Sequence, residues 1–297
     1  MKILITGGAG FIGSNLALAL QEKYPENHYF IIDNFSSGNF SNLSGFKGDV
    51  LSADIAKIDL RRHFDKLDVI FHQAAITDTT VLDKNKMMAV NVDGFKNVVE
   101  FAVSCNAKLI YASSAAVYGH SKPPMVVGEN EKPANIYGLS KLAADNIARK
   151  YFARLSVIGL RYFNVYGPRE EYKGKMASMI WQLYLQMKEG KAPRIFKYGE
   201  QKRDQVYVKD IVQANLLALK AKKSGIFNVG TGRAASFNDI VENLNQVLDT
   251  SLEPSYFDNP YKHYQEETEA DLKDTKKILG YISEYDIKKG IKDYLKR

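Results

Sequence analysis

The chain has 297 residues, 45% apolar and 25% charged, with a net charge of +7. That length and apolar content allow a substantial core in one large domain or two small ones, and exclude a disordered or peptide-like scaffold. The lysines are spread along the whole chain without an aromatic-rich basic cluster, which argues against a nucleic-acid surface and for an anionic small-molecule substrate.

No apolar run reaches membrane-spanning length, and the first strand begins at once, so neither a membrane span nor a secretory leader is expected. The one cysteine, Cys105, can form no internal disulfide and fits a reducing cytoplasm. It falls late in a helix and is expected to be a buried small apolar residue.

Met1 to Ile5 reads as a short buried strand and Phe11 to Gln21 as a helix, with Thr6-Gly7-Gly8-Ala9-Gly10-Phe11-Ile12-Gly13 joining them. Gly8, Gly10 and Gly13 satisfy G-x-G-x-x-G; Gly7, Gly10 and Gly13 satisfy the wider G-x-x-G-x-x-G. Such a turn lets backbone approach a diphosphate, whose charge meets the free amides at a helix N-terminus. A second strand, His28 to Ile32, ends in Asp33, where a carboxylate can accept hydrogen bonds from an adenosine ribose. The plainer alternative is an ordinary βαβ turn with Asp33 as a strand-end cap. The succession strand, glycine turn, helix, strand and acid favours dinucleotide binding. Asp33 would repel a 2′-phosphate and Ser36-Ser37 offers only neutral donors, so these residues point to NAD.

Residues 34–39 form a loop over the adenosine end. Phe46 to Leu51 looks like a third strand, with Asp54-Ile55 just after it, and Asp68 to His72 like a strand buried on both faces. A long helix from Lys84 to Ser104 follows, then a strand from Ala107 to Ala112, a helix from Ile136 to Ala153 and a strand from Ser156 to Arg161. The alternation predicts an α/β fold, a doubly wound parallel Rossmann sheet with ligands beyond the carboxyl ends of its strands. Past Pro168 the rhythm weakens. Helices are expected at 176–188, 237–248, 271–279 and 287–296, strands at 194–196 and 226–229, and a strand–helix pair at 205–220. The expected division is residues 1–165 plus about 206–230 for an NAD(P)-binding domain. About 166–205 plus 231–297 would form a smaller mixed α/β C-terminal substrate lobe.

Tyr137 and Lys141 share one face of a helix. An ammonium beside a phenol favours phenolate, so the Tyr137 pKa is expected below its usual value, making it an acid or base for a sugar hydroxyl. The same spacing recurs at Tyr118/Lys122, Tyr184/Lys188, Tyr198/Lys202 and Tyr285/Lys289. Only Tyr137 follows a strand ending in Ser113-Ser114. Ser114 is expected to share the substrate oxygen, and Ser113 to cap the strand end. His72 is expected to be packed and hydrogen-bonded. No histidine spacing suggests a metal, and none is expected.

The glycine turn, the Ser114/Tyr137/Lys141 trio and Arg161-Tyr162-Phe163-Asn164-Val165-Tyr166-Gly167-Pro168-Arg169 together resemble the extended short-chain dehydrogenase/reductase family of nucleotide-sugar enzymes. Tyr172-Lys173-Gly174-Lys175-Met176-Ala177-Ser178, Lys202 to Val208, Ser224 to Arg233, Tyr264-Gln265 and Thr268 to Leu272 narrow the resemblance to the heptose 6-epimerases of that family. The resemblance implies epimerisation of ADP-D-glycero-D-manno-heptose to ADP-L-glycero-D-manno-heptose, serving lipopolysaccharide synthesis. The route is transient oxidation at C-6″ and hydride return to the opposite face, with a tightly bound NADP. Tyr137 and Lys173 would carry protons, supported by Ser114 and Lys141.

The cofactor contacts it implies are Gly7, Gly10, Phe11, Ile12 and Gly13 at the diphosphate, Asp33 and Asn34 at the ribose, and Asp54 and Ile55 at the adenine. Gln73, Ala74, Ala75, Ile76 and Thr77 would line the cofactor with Asn91 behind them, joined by Lys141, Val165 and Lys173. Toward the nucleotide sugar it implies Ser114, Asn164, Phe196, Lys197, Tyr198, Gly199 and Tyr264, with Arg203 on the diphosphate. It also implies sugar contacts at Lys175 and Gln182, where relatives often carry serine and histidine. It further implies a cytoplasmic homo-oligomer, commonly a pentamer.

Ala115-Ala116 replaces the Asp-Glu pair of related 4,6-dehydratases, and Ala115 the cysteine of the 4-keto epimerase-reductases, so neither chemistry is expected. A UDP-sugar 4-epimerase remains the alternative. A regulatory protein that kept the fold and lost the chemistry is disfavoured by the retained Ser114, Tyr137, Lys141 and Lys173.

Overall fold

The computed structural model describes residues 1–258 and 266–296. Its first strands are β1 (Lys2–Thr6) and, after helix α1 (Phe11–Lys23), β2 (His28–Asp33), the largely exposed edge strand β3 (Asp49–Ser52) and β4 (Val69–His72), which is buried on both faces. Helix α2 (Lys84–Met88) passes through one π turn at Ala89–Asp93 into α3 (Gly94–Cys105). There follow β5 (Lys108–Ser114), α4 (Ile136–Arg149), β6 (Val157–Tyr162) and β7 (Asn164–Tyr166). The remainder holds α5 (Met179–Lys188), β8 (Arg194–Phe196), β9 (Lys202–Tyr207), α6 (Val208–Lys220), β10 (Gly225–Val229) and β11 (Ala234–Ser236). It ends in α7 (Phe237–Leu248), β12 (Ser255–Phe257), α8 (Lys273–Leu279) and α9 (Ile287–Leu295).

Among the described residues the main sheet is all parallel, in the order β10-β6-β5-β4-β1-β2-β3. This is the doubly wound α/β architecture that the alternation predicts. The chain runs outward from β1 through β2 and β3, then returns to β4 on the other side. The reversal leaves a crevice at the carboxyl ends of β1 and β4. Gly7 N–H donates to Ile32 O at 2.7 Å and Gln73 N–H to Thr6 O at 3.0 Å, fixing its two lips. One apolar layer packs α1 and α6 on the sheet through Leu16, Leu20, Ile211 and Ala214. The other packs α3 and α4 through Phe95, Val98, Val99 and Ala144. A separate core of Ile180, Leu183, Ile195, Ile240, Leu244 and Ile291 lies among α5, α7 and α9, beside a small sheet β11-β9-β7 and a strand pair β12-β8. No described helix is long and apolar enough to cross a membrane.

Several boundaries depart from the sequence pattern. The third strand starts at Asp49, not Phe46, because Phe46 closes a turn by donating its N–H to Leu43 O. The helix expected at 84–104 is interrupted by its π turn, which swings Asn91 into the interior. Helix α5 begins at Met179 rather than 176, because Glu171–Met176 form a tight 3-10 turn broken by Gly174 at φ +54°. Helix α4 stops at Arg149, short of Ala153.

Candidate active site

The glycine turn shows why its residues cannot carry side chains. Gly7 lies at φ +67°, and a Cβ there would stand 2.6 Å from Ala74 N, on the other lip of the crevice. At Gly13 a Cβ would overlap the Gly7 carbonyl oxygen, so the first turn of α1 presses directly on the loop. Gly8 is equally tight, a Cβ there meeting the Ile31 side chain at 2.6 Å, so the close contacts serve both glycine spacings. The resulting groove brings the free amides of α1 to the carboxyl end of β1, and its shape and donors fit a diphosphate. Asp33, 8% exposed, closes the far end of this cradle: its carboxylate accepts from Ala9 N–H at 2.9 Å and Phe35 N–H at 2.8 Å.

The loop after β4 is held from below. Asn91 accepts from Ile76 N–H at 2.8 Å, returns a bond to Ile76 O at 3.0 Å, and donates to Ser140 Oγ at 3.0 Å. Asn91 thus joins residues 73–77 to α4. Gln73 belongs to a buried triangle: Tyr162 donates to its Oε1 at 3.2 Å, and Asn215 donates to the Tyr162 hydroxyl at 2.8 Å. Asp54 caps its own turn at Ala56 N–H, and Asn97 donates to Ile55 O at 2.8 Å. As expected, His72 is buried and hydrogen-bonded, to Thr6 Oγ1 at 2.7 Å.

At the end of β5 the turn is capped by Ser114, not by Ser113 as expected. Ser113 is buried with no partner for its hydroxyl, whereas Ser114 Oγ accepts from Ala116 N–H at 3.2 Å and caps the turn Ala115–Tyr118. Backbone alternation explains this, since Ser113 points into the sheet and Ser114 toward the crevice. Ser114 also hydrogen-bonds Tyr137, lowering that phenol's pKa, yet burial outweighs it and the net pKa is raised. The expected depression by Lys141 is absent. Its Nζ lies 5.8 Å from the Tyr137 ring centroid and donates to Ala112 O at 2.8 Å. Burial lowers Lys141 to about 8, opposed by the charge of Asp145.

Asp145 is a residue the sequence reading passed over, although it lies one helical turn beyond Lys141 on the same face. It accepts from Arg161 Nε at 2.9 Å and Nη2 at 2.7 Å, and from Tyr111 at 2.8 Å; Glu131 is 2.7 Å from the same guanidinium. This buried pair locks α4 to β6 and hence the helix carrying Tyr137 and Lys141 to the sheet.

Lys173 stands on the turn between β7 and α5, half-buried, its Nζ 5.5 Å from the centroid of the Phe11 ring at the start of α1. Burial lowers its pKa and Glu170 opposes the shift. Val165 is half-buried, while its neighbour Asn164 is exposed and accepts from Thr268 Oγ1 at 3.5 Å.

The expected substrate residues divide. Arg203 is 8% exposed and its Nη1 donates to Lys202 O at 2.8 Å and Glu266 O at 3.0 Å, so part of its guanidinium braces backbone. Gln182 donates to Lys175 O and Ala177 O, at 3.2 and 2.8 Å, and pins the Lys173 turn; Lys175 is exposed. Phe196 packs edge-on against Phe257, and Tyr198 stands 72% exposed near Tyr256. Gly199 is buried, and Tyr264 lies outside the described residues. Cys105 is half-buried rather than buried, its thiol donating to Phe101 O at 3.3 Å. No cluster that could hold a metal occurs among the described residues.

A dinucleotide cradle beside a Ser/Tyr/Lys set at the next strand end defines a short-chain dehydrogenase/reductase type of site. The chain belongs to the NAD dependent epimerase/dehydratase family, whose model matches residues 3–230. Among solved structures, it is 48% identical to Helicobacter pylori ADP-L-glycero-D-manno-heptose-6-epimerase, with a TM-score of 0.95 over 99% of this chain and 95% of that one. UDP-glucose 4-epimerase of Thermotoga maritima, solved with UDP-glucose, is 30% identical, with a TM-score of 0.91 and coverage of 100% and 98%. Bacillus cereus UDP-glucuronic acid 4-epimerase, solved with UDP-glucuronic acid and NAD, is 28% identical, with a TM-score of 0.88 and coverage of 100% and 99%. The protein is accordingly a nucleotide-sugar epimerase that works with a nicotinamide cofactor.

Proposed function

We propose that this epimerase interconverts ADP-D-glycero-D-manno-heptose and ADP-L-glycero-D-manno-heptose at C-6″, supplying the heptose of a bacterial lipopolysaccharide. The observation that carries the reading is Lys173, half-buried against Phe11 at the rim of the cofactor cradle. Inverting a side-chain carbinol through a ketone calls for proton carriers on two sides of the carbon. Tyr137, with Ser114, provides one and Lys173, from a different loop, the other. The 48% identity to the Helicobacter pylori enzyme supports the same substrate.

A bound oxidised nicotinamide supplies reversible acceptance of hydride from a sugar carbon. Gly7, Gly10 and Gly13 would hold its diphosphate at the start of α1, and Asp33 its adenosine ribose. Residues 73–77, Val165 and Lys141 would line its reactive half. Ser114 and Tyr137 bind the reacting hydroxyl oxygen, Tyr137 exchanging its proton, and Lys173 serves the oxygen in the opposite orientation. Residues 1–165 with about 206–230 form the cofactor part in this reading, and the remainder the substrate lobe.

We take the cofactor to be NAD rather than the NADP that the resemblance implies. Asp33 fixes a buried carboxylate at the ribose end, and no lysine or arginine occurs between Lys23 and Lys47 to neutralise a 2′-phosphate.

The test supplies ADP-D-glycero-D-manno-heptose with no added cofactor. The L-glycero isomer should appear by NMR without accumulation of reduced nicotinamide. Turnover of UDP-glucose and not of the heptose would overturn the reading in favour of a UDP-sugar 4-epimerase. Mass spectrometry of the released cofactor should find NAD; NADP would refute that part alone.

A further inference from the structure

The turn that carries Lys173 has little packing of its own. None of Glu171–Met176 is buried. Behind it lies a cavity of about 400 Å³, whose lining includes Arg169, Glu171, Tyr172, Trp181 and Tyr294. A turn without an apolar anchor takes its position from its hydrogen bonds.

Besides Gln182, which donates to Lys175 O and Ala177 O, the anchor is Glu170, whose side chain is fully buried. One carboxylate oxygen accepts from Gly167 N–H at 3.0 Å and from the Ser178 hydroxyl at 2.9 Å; the other accepts from Ser178 N–H at 2.6 Å. Gly167 precedes the turn and Ser178 follows it, so one side chain closes the loop. The Glu170 carbonyl also accepts from Lys173 N–H at 2.9 Å, tying the lysine's own backbone to the same residue. Ser178 in turn caps α5 by accepting from Trp181 N–H at 3.2 Å.

Burial raises the pKa of this carboxyl above its ordinary value, while the Gly167 and Ser178 donors and the charge of Lys173 act the other way and favour the ionised form. It is the anion that bears on Lys173. Facing it from other elements are the phenols of Tyr166 on β7 and Tyr294 on α9, both raised above their ordinary range and therefore neutral; Glu171 faces Tyr294 as well.

We propose that Glu170 is a positioning residue for the epimerisation: it closes the loop between Gly167 and Ser178 and sets its charge beside Lys173, holding the ammonium where a second proton carrier is required. This rests on the reading of Lys173 as that carrier.

The test compares Glu170→Gln, Glu170→Asp, Ser178→Ala and Lys173→Met as holoenzymes with ADP-D-glycero-D-manno-heptose. The Gln amide would turn an N–H toward Gly167 or Ser178 and removes the charge. It should lower kcat on the order of 10- to 100-fold, as expected for a displaced reacting group, with KM changed far less. It should also move the ionisation belonging to Lys173 to lower pH. Glu170→Asp should restore the pH profile but not the full kcat. Ser178→Ala keeps the charge and should lower kcat without moving the profile, which covers the case in which Glu170→Gln does not fold. A Glu170→Gln enzyme with an unmoved profile, or a Ser178→Ala enzyme at full kcat, would overturn the proposal while leaving Lys173 in place. A Lys173→Met enzyme at the wild-type rate would remove the reading and the proposal together.

Discussion

Replacing Gly13 by alanine isolates the close contact on which the cofactor cradle depends. Gly13 lies within α1, where alanine is ordinarily favoured over glycine by about 1 kcal/mol. Here the new Cβ would overlap the Gly7 carbonyl oxygen and stand 2.9 Å from both Gly7 C and Gly8 Cα. All three atoms are backbone, so relief requires α1 to move off the loop. Overpacking of this kind costs about 1–3 kcal/mol, and the severity of the overlap argues for the upper end. The net loss is then about 2 kcal/mol, a fall in melting temperature of roughly 3 °C for a chain of this size. The same movement displaces the amides that face the diphosphate, so NAD affinity should weaken at least about tenfold, or ~1.4 kcal/mol. Thermal melting of the apoprotein and calorimetric titration with NAD measure both quantities. A raised melting temperature with unchanged NAD affinity, the outcome of helix propensity alone, would refute the reasoning.

Tyr137→Phe and Lys173→Met should each abolish interconversion while the cofactor stays bound, assayed by NMR turnover beside mass analysis of the holoprotein; full activity in either would remove that residue from its role. Lys141, lowered by burial to about 8, is protonated below that pH and loses its charge above it, so kcat should fall on the alkaline side near pH 8. Asp145→Asn should shift that limb to lower pH, because the Asp145 charge raises Lys141. It should also destabilise the fold by about 3–5 kcal/mol by breaking the buried pair with Arg161, measurable by urea unfolding. An unmoved alkaline limb in Asp145→Asn would separate Lys141 from the pH dependence. Asp33→Ser should narrow the preference for NAD over NADP, read by titrating both into the apoprotein; an unchanged ratio would show that the carboxylate does not select the cofactor.

The sheet was legible because its strands bury both faces and so read as continuous apolar runs, as β4 and β6 do. The cradle was legible because glycine is required at residues 7, 8 and 13, which satisfies both spacings the sequence offers. What the sequence could not give was the balance of environments. A lysine four residues from a tyrosine suggests a depressed phenol, but Lys141 is turned to the Ala112 carbonyl and burial governs Tyr137. The part played by Glu170 was equally hidden, since its donors at Gly167 and Ser178 come from both ends of a loop whose closure has no periodic signature. Gln182 and Arg203 are expected at the sugar and the phosphate, yet their amide and guanidinium nitrogens also brace neighbouring carbonyls.

The most direct measurement uses ADP-D-glycero-D-manno-heptose deuterated at C-6″, incubated with the enzyme in ordinary water and followed by NMR and mass spectrometry. Hydride taken and returned within one closed crevice leaves the L-glycero product with its deuterium still on C-6″. Loss of the label to solvent, or a product inverted at another carbon, would contradict it.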